Sequence, residues 1–215
     1  MSWSLVVPFK PLSLAKSRLA GAIDSRPAMA LAFALDTVTA ALASPEVAAV
    51  TVVTGDATLR AALARLGAHV TDDVPDAGLN AALLHGEGLA RRWSPESVAA
   101  MNGDLPALRP AELTLALREA ARRPGRSFVP DAAGTGTTLL AAARGAALRP
   151  GFGTGSRARH LASGAHELRL DGIASLRQDV DTGDDLRVAG GLGLGAHTRG
   201  ALAGSRAPMQ PAPGV

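Results

Sequence analysis

AVTVVTGDATLRAALARLGAHVT, residues Ala49–Thr71, carries two strand-like pieces with a helix-like piece between them. Ala49–Thr54 is apolar and β-branched and stops at Gly55-Asp56, Ala57–Leu66 spaces its leucines and alanines at the helical period, and Ala68–Thr71 is short and extended again. Strands joined through a helix of this length run parallel, because the crossover returns the chain to the same end of the sheet. The alternation extends both ways. Upstream, Leu5–Pro8 reads as a buried strand and Pro27–Ala43 repeats Ala, Leu, Phe and Val at helical spacing; downstream, Leu79–Trp93 and Ala111–Arg122 read as helices around a strand at Ser97–Met101. The expected fold class is α/β, a three-layer α/β/α sandwich on a mostly parallel sheet.

Beyond Arg126 the rhythm changes. SFVPD and TTLLAAA look like strands, AARGAALRPGFGTGS is rich in glycine, and a short helix at Arg157–Ser163 leads to a strand near Leu168–Leu170. Such an insertion suits a lid or substrate face on a nucleotide-binding core. Residues 195–215 are Gly-, Ala- and Pro-rich without an apolar period and are expected to form a disordered tail, leaving residues 1–194 as a single domain.

Composition narrows the chemistry. The 215 residues hold no cysteine, which removes disulfides, thiolate metal sites and a cysteine nucleophile. Net charge is +3, tyrosine is absent, and no basic stripe interleaves with aromatics, so small anionic substrates fit the charge better than nucleic acid does. There is no signal-peptide pattern and no apolar run long enough for a membrane helix, so a cytoplasmic location is expected and no membrane partner.

In open α/β sheets ligands bind beyond the carboxyl ends of the strands. Three loops there carry charge. Lys10, Lys16 and Arg18 follow the first strand with no acidic residue among them and precede a helix, where backbone N–H groups already favour an anion; the spacing is not that of a P-loop. The alternative is a solvated basic loop. Asn102, Gly103 and Asp104 end an apolar strand, where a carboxylate could hold a hard cation such as Mg²⁺, with the glycine letting backbone or phosphate approach, or could simply cap the turn. Asp179 and Asp181 flank Val180, and in an extended segment residues two apart face the same way. Two like charges so placed call for a cation, unless the segment is a solvated acidic turn ahead of a helix near Thr182. Asp184 and Asp185 fit the first turn of that helix.

Hydroxyls and glycines gather in PDAAGTGTTLLAA and FGTGSRARH. Thr135, Thr137, Thr138, Gly153, Thr154 and Ser156 offer donors for phosphate or carboxylate oxygens, with Arg157 and Arg159 adding charge nearby. None of the five histidines has metal-ligand spacing, and His160 alone lies near a candidate site. Trp3 and Trp93 read as packing residues.

Taken in order, VVPFKPLSLAKSRL, DVPDAGLNAAL, NGDLPAL, PDAAGTGTTLLAA, FGTGSRARH and DVDTGDDL, over roughly Leu5–Leu186, resemble one family. It is that of the 2-phospho-L-lactate and phosphoenolpyruvate guanylyltransferases of deazaflavin coenzyme F-420 biosynthesis. The resemblance implies a Rossmann-like nucleotidyltransferase core with a mixed sheet, GTP as co-substrate and Mg²⁺ as cofactor. Carried over motif by motif, it implies that Asp104, Asp179 and Asp181 hold metal and, with Lys16, form the catalytic set. Thr138, Gly153 and Ser156 would receive the phosphorylated three-carbon acid. Lys10, Lys16 and Arg18 would cradle the triphosphate, with Asn80 and Asn102 on the nucleotide side. The high Ala, Arg and Gly content suggests a GC-rich bacterial genome, and the resemblance to the family's bacterial members then implies phosphoenolpyruvate rather than 2-phospho-L-lactate as acceptor. The next enzyme of the pathway is a further expected partner, since the product would be a labile phosphoanhydride. Two other readings stand beside this one: a sugar-nucleotide glycosyltransferase using DVD as its DxD motif, and a non-catalytic GTP-binding module.

Overall fold

A computed structural model describes residues 2–16, 19, 25–74, 76–93 and 97–205. The alternation read from the sequence is present. Strand β1 (Trp3–Pro8) leads through a short 3-10 turn (Leu12–Leu14) to helix α1 (Arg26–Leu42); β2 (Val47–Val53), α2 (Ala57–Arg65) and β3 (His69–Thr71) follow, then α3 (Leu79–Trp93), β4 (Ser97–Met101) and α4 (Pro110–Ala121). The second half adds β5 (Arg126–Pro130), β6 (Thr137–Ala142), α5 (Ser156–Ala162), β7 (His166–Glu167), α6 (Ala174–Arg177), α7 (Gly183–Leu192) and α8 (Ala196–Ser205).

Local chemistry sets the helix starts. Ser25 caps α1 by accepting from the Ala28 N–H, with Pro27 in the first turn, and Asp56 caps α2 by accepting from Thr58 and Leu59. Thr182 and Asp185 form a reciprocal capping box on α7, which accounts for Asp185 as the sequence suggested.

The sheet has seven strands in the order β3-β2-β1-β4-β6-β5-β7. β1 pairs in parallel with β2 and β4, β2 with β3 and β5 with β7, while β6 runs antiparallel to both β4 and β5. The sheet is therefore mixed and mostly parallel. Alternate residues feed two cores: Leu5, Val7, Ala99 and Met101 pack under α1, α2 and α4, whereas Val6, Val98, Ala100 and Leu140 pack under α3. Gly86 lets α3 approach the second face, since a Cβ there would lie 2.8 Å from Val53 Cγ2. A third cluster, of Met29, Phe33, Val180, Ala189 and Leu194, joins α1 to α7 and α8.

Two expectations are corrected. The last strand is His166–Glu167 rather than Leu168–Leu170; the Leu168 N–H still bonds to the Phe128 carbonyl at 2.8 Å, so the extended ladder begins earlier and ends sooner. Ala196–Ser205, within the stretch expected to be a structureless tail, is helical. Its anchor is distant in sequence: the buried Asp36 carboxylate, from the middle of α1, accepts from the N–H groups of His197 at 3.0 Å and Thr198 at 2.8 Å. Residues 206–215 lie outside the described residues. No helix among the described residues is long and apolar enough to cross a membrane.

Candidate active site

A cleft of about 950 Å³ opens at the carboxyl ends of β1 and β4, where the first core strands hand over to loops. The basic loop forms one wall. Phe9 N–H bonds to the Val53 carbonyl at 2.9 Å, and Leu12 N–H to Asp56 Oδ2 at 2.9 Å, so the carboxylate that caps α2 also ties down the loop. Lys10 lines the cleft and is exposed. Lys16 also lines it but points inward, in the left-handed backbone region (φ 54°), an unusual conformation for a long side chain. Its ammonium is bonded to Asp104 and, at 3.0 Å, to Asp181 Oδ1. Burial alone would lower the Lys16 pKa, but the two carboxylates outweigh it and the net shift is upward. Arg18 lies outside the described residues.

The acidic groups converge opposite. Asp104 follows β4, and its carbonyl accepts from Val180 N–H at 3.1 Å, which stitches NGDLP to DVD. Leu105 N–H donates to Thr37 Oγ1 on α1 at 3.0 Å, and Asn102 N–H to the Thr138 carbonyl at 2.9 Å. The carboxyl of Asp179 is pushed up to about 7, first by burial and then by the charges of Asp104, Asp181 and Asp131. Asp131, which the sequence reading passed over, also lines the cleft and accepts from Thr135 and Gly136 N–H. Its position just before the AAGTG turn was the available signal. Gly103 lines the cleft and has a further purpose: a Cβ there would overlap the Phe9 ring, whose Cζ would lie 2.7 Å away, so its missing side chain admits the anchor of the basic loop.

Among the described residues no three His, Asp or Glu side chains stand close enough to enclose a metal ion. Asp104 Oδ1 is nevertheless buried without a hydrogen-bond partner, and Asp179 is crowded by like charge. Such oxygen donors, short of positive charge, suit a hard cation such as Mg²⁺, and Lys16 supplies part of that charge in this state.

The far wall is the glycine-rich loop, with Gly153 in a positive-φ conformation (106°) and Ser156 starting α5. Its carbonyls and the N–H groups of Gly151 and Phe152 are held within the protein. Asn80 donates to the Phe152 carbonyl at 3.2 Å and accepts from the Phe152 N–H at 2.8 Å. Arg159 donates to the carbonyls of Gly151, Phe152 and Thr154 at 3.0, 3.2 and 2.6 Å, and His160 Nε2 accepts from Gly151 N–H at 3.0 Å. Arg157 pairs with Glu167 and the Gly134 carbonyl. Arg159 thus braces the loop and Arg157 ties α5 to Glu167 and the Gly134 turn, rather than offering loose charge to a ligand.

The structure brings Lys10, Lys16, Asn102, Asp104, Gly153, Ser156, Asp179 and Asp181 to one cleft. Asn80 is not among the lining groups, because its amide is spent on Phe152. Thr138 is fully enclosed in β6 and also absent from the lining, while its neighbour Thr137 lines the cleft; the Thr138 hydroxyl bonds to no protein atom.

Comparison with known proteins agrees with this architecture. The model of the MobA-like NTP transferase domain matches residues 32–169, a span that excludes both the basic loop and the Asp179/Asp181 pair. A phosphoenolpyruvate guanylyltransferase of Streptomyces coelicolor is 61% identical over 201 residues, covering 92% of this chain and 94% of the relative. One from Thermomonospora curvata is 56% identical, covering 92% and 87%. Among solved structures, a nucleotidyl transferase from a Methanothermobacter species superposes with a TM-score of 0.60 at 22% identity, covering 89% of this chain and 97% of that one. The 4-diphosphocytidyl-2C-methyl-D-erythritol synthase of Anaerococcus prevotii does so with 0.55 at 13% identity, covering 88% and 95%. These two speak to the fold.

Proposed function

Since the chain belongs to the phosphoenolpyruvate guanylyltransferases, built on a MobA-like NTP transferase domain, we propose that it transfers GMP from GTP to the phosphate of phosphoenolpyruvate and releases pyrophosphate. The observation that carries the reading is the meeting, in one cleft, of a basic loop, a carboxylate cluster and a braced glycine loop. Each suits one part of such a reaction.

A phosphate monoester has a second pKa of about 6, so the attacking oxygen is already ionised at neutral pH and needs no general base. The cleft offers no imidazole as one: His160 is buried and committed at both ring nitrogens. The barrier lies in bringing two anions together, since unit charges 4 Å apart interact by about 4 kcal/mol at an effective dielectric near 20. Lys10 and Lys16 offset that repulsion on the triphosphate side and favour the departing pyrophosphate. The Gly153–Ser156 loop holds the acceptor with backbone N–H groups and the Ser156 hydroxyl. Asp104, Asp179 and Asp181 would hold Mg²⁺, which when bound supplies charge neutralisation at the phosphates.

In this reading the product is the phosphoanhydride taken up by deazaflavin coenzyme F-420 biosynthesis, made in the cytoplasm and passed to the next enzyme. 2-Phospho-L-lactate is the competing acceptor, differing only around C2–C3. The test is pyrophosphate release from GTP and Mg²⁺ with each acid supplied separately. Release with phosphoenolpyruvate, reduced about 100-fold or more in a folded Asp181→Ala variant, is expected. Release with neither acid would refute the reading, and release with phospholactate alone would change the acceptor.

A further inference from the structure

Resting on that reading, we propose that Thr137 is a substrate-binding residue for the acceptor acid, and that His160 is a positioning residue that turns the Thr137 hydroxyl proton toward the cleft. The argument starts from which atoms can donate. A backbone N–H only donates, so His160 Nε2, 3.0 Å from the Gly151 nitrogen, is an acceptor and carries no proton. A neutral imidazole then carries its proton on Nδ1. That atom is 2.9 Å from Thr137 Oγ1 and donates to it. The Thr137 oxygen has accepted, and its own proton is left for a second partner. Among the described residues the protein supplies none, and Thr137 lines the cleft beside Gly153 and Ser156.

The surroundings hold the tautomer. His160 is 1% exposed, with its ring 5.7 Å from that of Phe128 and edge-on to Phe152 at 5.3 Å. Burial, then the charges of Arg126 and Arg159, pull its pKa down to about 4. A protonated ring would lose the Gly151 contact, and the other neutral tautomer would set two N–H groups against each other. One imidazole therefore fixes both a hydroxyl on β6 and the start of the glycine loop, which are the two sides between which an acid would sit.

The ligand chemistry follows from the donor type. A hydroxyl constrained to donate selects an acceptor-only group, a carboxylate or phosphate oxygen, over a neutral hydroxyl. Asn80 and Arg159 hold the Phe152 N–H and the Gly151, Phe152 and Thr154 carbonyls of the loop, so the alignment of Thr137 is the part that depends on His160 alone.

The test has three parts on the full chain. Nitrogen-15 spectra of the imidazole should show a protonated Nδ1 and a bare Nε2 between pH 6 and 8. Thr137→Val should weaken phosphoenolpyruvate binding, read by calorimetry and as KM, about tenfold or more, the range for losing a hydrogen bond to a charged group. Its KM for GTP should stay within about twofold, and Thr137→Ser should restore acid binding. His160→Gln, which can keep the Gly151 contact, should weaken acid binding alike, and the double variant should be no worse than Thr137→Val. Unchanged acid affinity in Thr137→Val, multiplying effects in the double variant, or a proton on Nε2 would overturn the proposal. If the wild-type protein bound no phosphoenolpyruvate, the functional reading itself would fail, an outcome distinct from wild type and Thr137→Val binding it equally.

Discussion

Lys16 and His160 are residues whose neighbours dictate their protonation. For Lys16 two carboxylates overcome burial, and the ammonium is held firmly charged. For His160 no anion opposes burial, and Arg126 and Arg159 add to it, so the ring stays neutral down to about pH 4. An unfolded histidine titrates near 6.5, so between that pH and 4 the unfolded chain takes up a proton the folded one refuses. The His160 contribution is fully present above pH 6.5 and is lost as pH falls through this window, by about 3 kcal/mol at most. Urea unfolding at pH 7 and pH 4.5 should therefore show a smaller loss in His160→Gln than in the wild type; equal losses would mean that His160 is not buried neutral. At this scale the charged groups of the site were legible, because charge at the end of an apolar strand stands out in a sequence. Which hydroxyl faces the cleft was not. Thr137 and Thr138 are adjacent, and the β5–β6 register shifts at Val129/Pro130, opposite them.

Elements turn on a few close approaches. Phe9 leaves β1, packs its ring over Gly103 after β4, and so fixes where the basic loop begins relative to Asp104. Gly103→Ala should push on that ring, costing about 1–3 kcal/mol of stability and lowering kcat/KM for GTP as Lys10 and Lys16 shift. Adding Phe9→Ala should make the stability effects less than additive, as measured by a double-mutant cycle of thermal melts; full additivity would separate the two residues. The helices and strands themselves were legible from period and turn residues, since Val50, Val52 and Val53 or the buried stripe of α1 can be read without a partner. The glycine loop was legible only as flexible chemistry. Its rigidity comes from Asn80, Arg159 and His160, and Asn80 meets it from 72 positions away, a distance that local patterns do not carry.

At the scale of the whole molecule, α8 is tied back to the first helix. Asp36 on α1 accepts from two N–H groups at the start of α8, and Gly195 has no room for a side chain beside that carboxylate. Asp36→Ala should cost about 2 kcal/mol, the range for two hydrogen bonds to a charged acceptor, and hydrogen exchange should quicken at the amides of His197 and Thr198; unchanged protection there would show that α8 is held by apolar packing alone. The sequence shows why this helix escaped notice: AHTRGALAGS has no broad apolar stripe, and its anchor is 161 positions upstream. That separation also bears on how the protein is made. A chain growing from its N-terminus exposes α1 long before the ribosome reaches Thr198, and until then Asp36 has no backbone partner to accept from. The nascent chain can assemble most of its sheet before this buried carboxylate finds its partners, so Asp36 is satisfied only once α8 has been made.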